Sequence, residues 1–261
     1  MDKPDWTFAE VSTPQRGKKI TLITRIGIVL ALIDITVVAA APLTRMYLDF
    51  PSLVTFRIFN IAALIGLGLA ALGLLLTLIA AFMRVAPAWK RGLVMILIGV
   101  LPLGTVIMTI GPERFFAPRT PIHDISTDTT TPPLFIKAYT SDAPRRNSLD
   151  YGGDEIANQQ LAAYPDIKPI LSKLGPNLAS NKVVQMISDL GWELTNVDLN
   201  DGIIEAYDTT RVFGFIDDVV IRVQAQDTGS LIDIRSVSRV GRGDAGQNAA
   251  RIRKFTRALN E

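Results

Sequence analysis

The residues of this sequence best placed to do chemistry are three arginines. Two runs, Val219 to Gln226 and Leu231 to Val240, alternate apolar and polar residues around Asp227-Thr228-Gly229-Ser230, the pattern of a β-hairpin. With Thr228-Gly229 as a two-residue loop, one face pairs Val219 with Ser238, Ile221 with Ser236, Val223 with Ile234 and Ala225 with Ile232. That face suits a position under helices. The other pairs Asp218 with Arg239, Val220 with Val237, Arg222 with Arg235 and Gln224 with Asp233. Two arginines directly opposite repel unless something negative lies between them. Two outcomes stay open: Asp233, diagonal to Arg222 and next to Arg235 on the same face, completes an internal ladder of ion pairs, or Arg222, Arg235 and Arg239, with Asp233 and Asp218 in the same site, receive a phosphate or carboxylate. Planar guanidinium forks match those oxygens two at a time.

Other combinations are weaker. His123-Asp124 is the sole histidine beside a carboxylate, and Ser236 or Ser238 could complete a hydrolase-type set. Neither a Gly-x-Ser-x-Gly elbow nor a His-Glu-x-x-His pair occurs, so no residue is assigned a catalytic role. Asp217-Asp218 would point to opposite faces of a strand, poorly placed to share a proton or a metal. With zero cysteines and one histidine the chain carries no thiol nucleophile and no set of soft metal ligands, so neither cofactor nor metal is expected. Arg251, Arg253, Lys254 and Arg257 form a basic run near the end, suited to acidic headgroups or to a solvated helix face. Asp244 heads that helix as its N-cap, with Gln247 three residues on.

The elements that must position these groups fall into two chemistries. Up to Arg119 the chain holds 12 Lys and Arg against 6 Asp and Glu, and beyond it 15 against 19. The second part is thus net negative, which disfavours a nucleic-acid partner. A mean hydropathy of +0.28 is high for a soluble enzyme, and three apolar stretches account for it: Ile20 to Ala41, Ile58 to Met83 and Gly92 to Gly111. Each reaches the roughly 20 residues needed to cross a hydrocarbon core. A cleavable signal peptide is the rival reading of the first. With three spans, Lys3, Arg16, Lys18, Lys19, Arg25, Arg84, Lys90 and Arg91 share one side, against Arg45, Arg57, Arg114 and Arg119 on the other. That bias places the N-terminus in the cytoplasm and the remainder outside, the periplasm of a bacterium with two membranes. Asp34 lies mid-span and calls for a partner, with Asn60, Thr77, Thr105 and Thr109 as candidates, or for a role in an ion path. Ala62, Gly66 and Ala70 make a small-residue face that would admit another helix, including one from a second copy or a transport complex.

The segments read as 1–19 cytoplasmic, 20–111 membrane, 112–153 a Pro/Thr-rich linker and extended lead-in outside the core, and 154–261 a folded domain. Within the last, a helix over Leu178 to Leu190 ends at Gly191. Strands Trp192 to Leu199 and Ile203 to Thr210 flank Asn200-Asp201-Gly202, whose Asp-Gly suits a type I′ turn. The expected fold is three transmembrane helices followed by an α+β domain with an antiparallel sheet and flanking helices.

His123-Asp124-Ile125-Ser126-Thr127-Asp128, Tyr164-Pro165-Asp166, Gly191-Trp192-Glu193, Phe213 to Val223 and Ile232 to Arg239 carry a resemblance. So does Gly241-Arg242-Gly243-Asp244. Over Pro121 to Leu259 the chain resembles the bacterial domain-of-unknown-function family fourteen-ninety-nine. The resemblance implies a proteobacterial envelope protein and supplies no reaction. Together these readings predict a membrane-anchored, non-catalytic protein binding an anionic ligand, a lipid headgroup or an envelope partner. A His123/Asp124 hydrolase and a transport subunit are the alternatives.

Overall fold

Long apolar runs without internal turn signals become helices, since only a helix satisfies every backbone group within one segment. In the computed structural model, which describes residues 15–112, 120–140 and 145–260, these runs form α1 (Gln15–Leu48), α2 (Ser52–Phe82) and α3 (Ala86–Ile110). All three are long and apolar enough to cross a membrane. Asp49 and Arg84, both at φ 55°, make the reversals between them.

This unit is packed inside out relative to a water-soluble bundle. The residues of α2 that are buried are mostly small or polar, among them Thr55, Ala62, Gly66, Ala70 and Gly73, while Leu64, Leu75 and Leu97 face outward. A Cβ added at Gly66 would lie 2.8 Å from Gly99 O, and one at Gly92 would lie 2.8 Å from Gly73 O. The backbones of α2 and α3 thus touch at two levels, which only small residues permit. The Ala62/Gly66/Ala70 face, expected to admit another helix, meets α3 of its own chain: Gly99 lies against Gly66 and Ala70. Asp34 comes to the same place. Its side chain is buried, and Oδ2 would be 2.8 Å from a Cβ at Gly66. None of the four expected partners reaches it: Asn60, Thr77, Thr105 and Thr109 each donate to a carbonyl of their own helix, and Asp34 Oδ2 has no hydrogen bond.

The second unit runs from Ile110. Its strands are β1 (Asp124–Ser126), β2 (Ile170–Ser172), β3 (Glu193–Asp198), β4 (Ile203–Thr209), β5 (Ile216–Gln226) and β6 (Gly229–Ser238). Its helices are α4 (Gly153–Ala163), α5 (Pro176–Asp189) and α6 (Gln247–Asn260). The sheet is antiparallel in the order β1-β6-β5-β4-β3, with β2 also pairing along β6. As expected, Val219, Ile221, Val223, Ile232 and Ile234 line one face. Val183 and Ile187 of α5 and Ile252 and Phe255 of α6 cover them, and Trp192 stacks on Phe255 at 6.1 Å.

Three expectations need correction. The turn of the β5–β6 hairpin is Asp227-Thr228, because Gln226 pairs with Gly229. Gly229 sits at φ +106°, where a Cβ would strike Ser172 O at 2.0 Å, so the passing strand β2 and the glycine together fix this register. Each face keeps its residues, but Arg222 now lies opposite Asp233 and Arg235 opposite Val220. The two arginines do not face each other. Asp198 pairs with Ile203, so the β3–β4 loop has four residues, Leu199 to Gly202, instead of a two-residue turn. Third, the lead-in expected to stay outside the core enters it, since β1 pairs with β6 and Ile122 and Ile125 are fully buried in the core.

Candidate functional site

The charged face of the β5–β6 hairpin is roofed by residues 127–140 and 145–151. Arg235 is fully buried there. Its Nε and Nη2 donate to the two carboxylate oxygens of Asp124 at 2.9 and 2.7 Å, Nη2 also to Leu149 O at 2.8 Å, and Nη1 to Pro133 O at 3.2 Å. Phe135 and Tyr151 flank the guanidinium, each with its ring centre 5.3 Å away. Burial and the nearby Asp124 charge push the Tyr151 phenol up to about 12. Burial also raises the Asp124 carboxyl, against the pull of the Arg235 fork.

Arg222 is held similarly. Its Nη2 donates to Asp233 Oδ2 at 2.9 Å and Asp128 Oδ2 at 3.0 Å, and its Nη1 to Thr131 O at 2.9 Å. Burial pushes the Asp128 carboxyl up, but hydrogen bonds from Thr131 N, Thr130 N and Arg222 outweigh it and hold the group below its usual range. Asp233 is completed by Thr127 Oγ1 at 3.1 Å. These two arginines are thus met by oxygens of this chain, with Arg222 Nε alone among their guanidinium nitrogens buried without a hydrogen-bond partner.

Arg239 stands in a different setting. Its Nε and Nη2 form a two-pronged bond to Asp218 at 2.9 and 2.8 Å, and its guanidinium lies 5.3 Å from the Tyr207 ring centre. Arg145 binds the same Asp218 carboxylate, and its Nη1 is buried with no hydrogen-bond partner. Beside them is a cleft of about 320 Å³ lined by Lys137, Thr140, Thr195, Tyr207, Asp218 and Arg239. Tyr207 donates its hydroxyl to Glu193, which raises the phenol, burial adding to the effect. Two arginines therefore share the one carboxylate of Asp218, and Lys137 lines the cleft beside it.

Glu205 holds the segment that carries Lys137 and Ala138 to this cleft. Buried in the sheet, it accepts the backbone N–H groups of Ile136, Lys137 and Ala138, the last two at 2.9 and 2.8 Å. That grip turns the chain at 136–138 and brings Lys137 to the cleft. Sequence reasoning missed Glu205, Arg145 and Asp128, since each acts on residues that are distant in sequence. Glu205 left one trace, a carboxylate within a β-rich run, Ile203-Ile204-Glu205-Ala206.

On the helix-covered face, Arg251 of α6 donates to Asp208 Oδ2 at 3.0 and 2.8 Å, Asp217 Oδ2 at 2.7 Å, Asn248 Oδ1 at 2.7 Å and Ser236 Oγ at 3.1 Å. Burial disfavours the Arg251 charge, but Asp217 and Asp208 outweigh it and raise its pKa. Asn248 also donates to Ser238 Oγ at 3.0 Å and His123 O at 2.9 Å. The members of the hydrolase-type set are thereby engaged separately. Asp124 carries Arg235, both serines bond Asn248, and His123 Nδ1 lies 3.4 Å from Arg242 O. Asp244 accepts from Gly246 N at 2.8 Å and Asn248 N at 2.6 Å, capping α6 just ahead of its first turn. Burial raises its carboxyl.

Fold and site together define an α+β domain, its sheet roofed on one face by its own lead-in, in a chain that also carries three apolar helices of membrane-crossing length. The chain belongs to the family described as protein of unknown function (DUF1499), whose model matches residues 124–259. No curated protein and no solved structure matches it.

Proposed function

We propose that this is a membrane-anchored, non-catalytic binding protein whose C-terminal domain holds an anionic group in the cleft beside Arg239. The observation that carries the reading is the imbalance at Asp218. Arg239 and Arg145 share its single carboxylate, and Arg239 and Lys137 both line the cleft beside it. A phosphate or carboxylate in the cleft would meet Lys137 and Arg239 with further acceptors, and charge-assisted bonds of this kind are the strong ones. Arg222 and Arg235, with Asp233, support the site by fixing the sheet face and its roof. The distribution of Lys and Arg around the spans supports an N-terminus in the cytoplasm and a domain on the far side of the membrane, which for the inner membrane of a two-membrane bacterium is the periplasm.

The test is thermal unfolding of the full chain in detergent with and without inorganic phosphate. A ligand at a hundred times its Kd stabilises the folded state by about 2.7 kcal/mol. Phosphate is expected to raise the midpoint of the parent and leave a Lys137→Ala/Arg145→Ala variant unmoved. That variant keeps Arg239 paired with Asp218, so no buried carboxylate is stranded. Equal responses from the two chains would defeat the reading. Compartment-specific reporters fused after Glu261 and placed near Trp89 test the topology.

A further inference from the structure

We infer that the anion taken by the Arg239 cleft is the phosphate of a membrane phospholipid, with Leu134 and Ile136 entering the acyl region beside it. The inference rests on the anion reading above and names its ligand. Leu134 is 70% exposed and Ile136 52% exposed, while Phe135 between them is buried against Val220 and Val237. This is a held conformation: the N–H groups of Ile136, Lys137 and Ala138 all end on the buried Glu205 carboxylate. Two large aliphatic side chains are thus presented to solvent on a pinned turn, so docking them requires little further ordering. The next residue, Lys137, lines the cleft, and Arg146, beside Arg145, is exposed.

Apolar side chains adjoining a cationic cleft match a phospholipid, in which a phosphate and hydrocarbon are joined. Free phosphate would use the cations and leave Leu134 and Ile136 in water. A bilayer is also at hand, since the same chain carries three helices of membrane-crossing length, and tethering raises the effective concentration of the docking surface. Each Lys or Arg held near an anionic surface favours the docked state on the order of fivefold.

The chain has no cysteine, so Leu134→Cys gives a single attachment point for an environment-sensitive fluorophore. The full chain is reconstituted in nanodiscs of phosphatidylcholine alone or mixed with phosphatidylglycerol. In the mixed discs the dye at position 134 is expected to shift to the blue and be quenched by brominated acyl chains. A dye at Leu171→Cys, 76% exposed on β2, is expected to stay in water. Adding Lys137→Ala/Arg145→Ala should return the position-134 dye to water, with Trp192 emission, in a Trp6→Phe/Trp89→Phe background, reporting that the domain is still folded. A water-like dye at position 134 in the mixed discs overturns the inference. So does a blue shift that is the same without phosphatidylglycerol and survives loss of the two cations. If the dye stays in water while inorganic phosphate still raises the unfolding midpoint, the lipid falls and the anion site stands. If neither responds, both fall.

Discussion

Replacing Arg235 with methionine tests whether the charged face is held together as described. The change removes both bonds to Asp124 and leaves its buried carboxylate without the counter-charge of Arg235. It also leaves the carbonyls of Leu149 and Pro133 without this donor. Breaking one side of a buried pair costs about 3–5 kcal/mol, most of it from stranding the surviving charge. Asp124→Leu strands the guanidinium instead and is expected to cost a similar amount. In the double variant no charge is left behind, so its loss should be no larger than that of either single, far below their sum. Urea unfolding of the full chain in detergent reads this directly, with Trp6→Phe and Trp89→Phe leaving Trp192 as reporter. Trp192 is buried and stacked on Phe255, so its emission follows the core between sheet and helices. With a urea slope of about 1–3 kcal/mol per molar, each single variant should lower the midpoint by roughly 2 M. Single losses under about 1 kcal/mol, or losses that add in the double, would refute the reasoning.

Two further outcomes are expected. Asp128 is held below its usual carboxylate range, so its contribution is present above the unfolded value of about 3.9 and is lost as pH falls through the lower folded value. Asp128→Asn should therefore trail the parent by about 1 kcal/mol at neutral pH, with the gap closing in acid; urea midpoints that differ equally at both pH values would contradict this. In the helical unit, Gly66→Ala drives a methyl toward Gly99 O and Asp34, whereas Gly68→Ala meets nothing within 4 Å. Thermal midpoints in detergent should fall for the first and hold or rise for the second, since alanine is the better helix former. The opposite order would show that the α2–α3 contact is misplaced.

The parts of this fold that could be read from sequence are those whose signal is periodic and local. Apolar length marked the three helices, and alternation put Arg222, Asp233, Arg235 and Asp218 on one face of a hairpin. Register was not legible, because it turns on Gly229 meeting the backbone at Ser172, which belongs to a different strand. The lead-in was hidden for a related reason. Its strand has three residues and its buried isoleucines stand singly, so no period announces them. Residues 136–138 are held by backbone N–H groups, which every sequence has. At the site the cations were visible but their partners were not: Asp124 lies 111 positions from Arg235, and no spacing rule connects them. Asp34 shows the limit inside the helices. Its burial follows from its place in a span, but nearby hydroxyls and an amide that turn back on their own backbones do not partner it.

The placing of β1 against β6 has a consequence for how the chain is made. The first strand to emerge is the sheet neighbour of the last, while β5, β4 and β3 lie beyond β6 on its other side. At about 5–20 residues per second, Asp124 is synthesised some 6–20 s before Arg235. During that interval the carboxylate stays hydrated and the edge of β1 has no mate. The domain cannot close progressively from its N-terminal end. Its roof, the pairing of β1 and the burial of Arg235 all wait for the same late hairpin, so a chain halted before residue 229 lacks the strand that gives β1 its place.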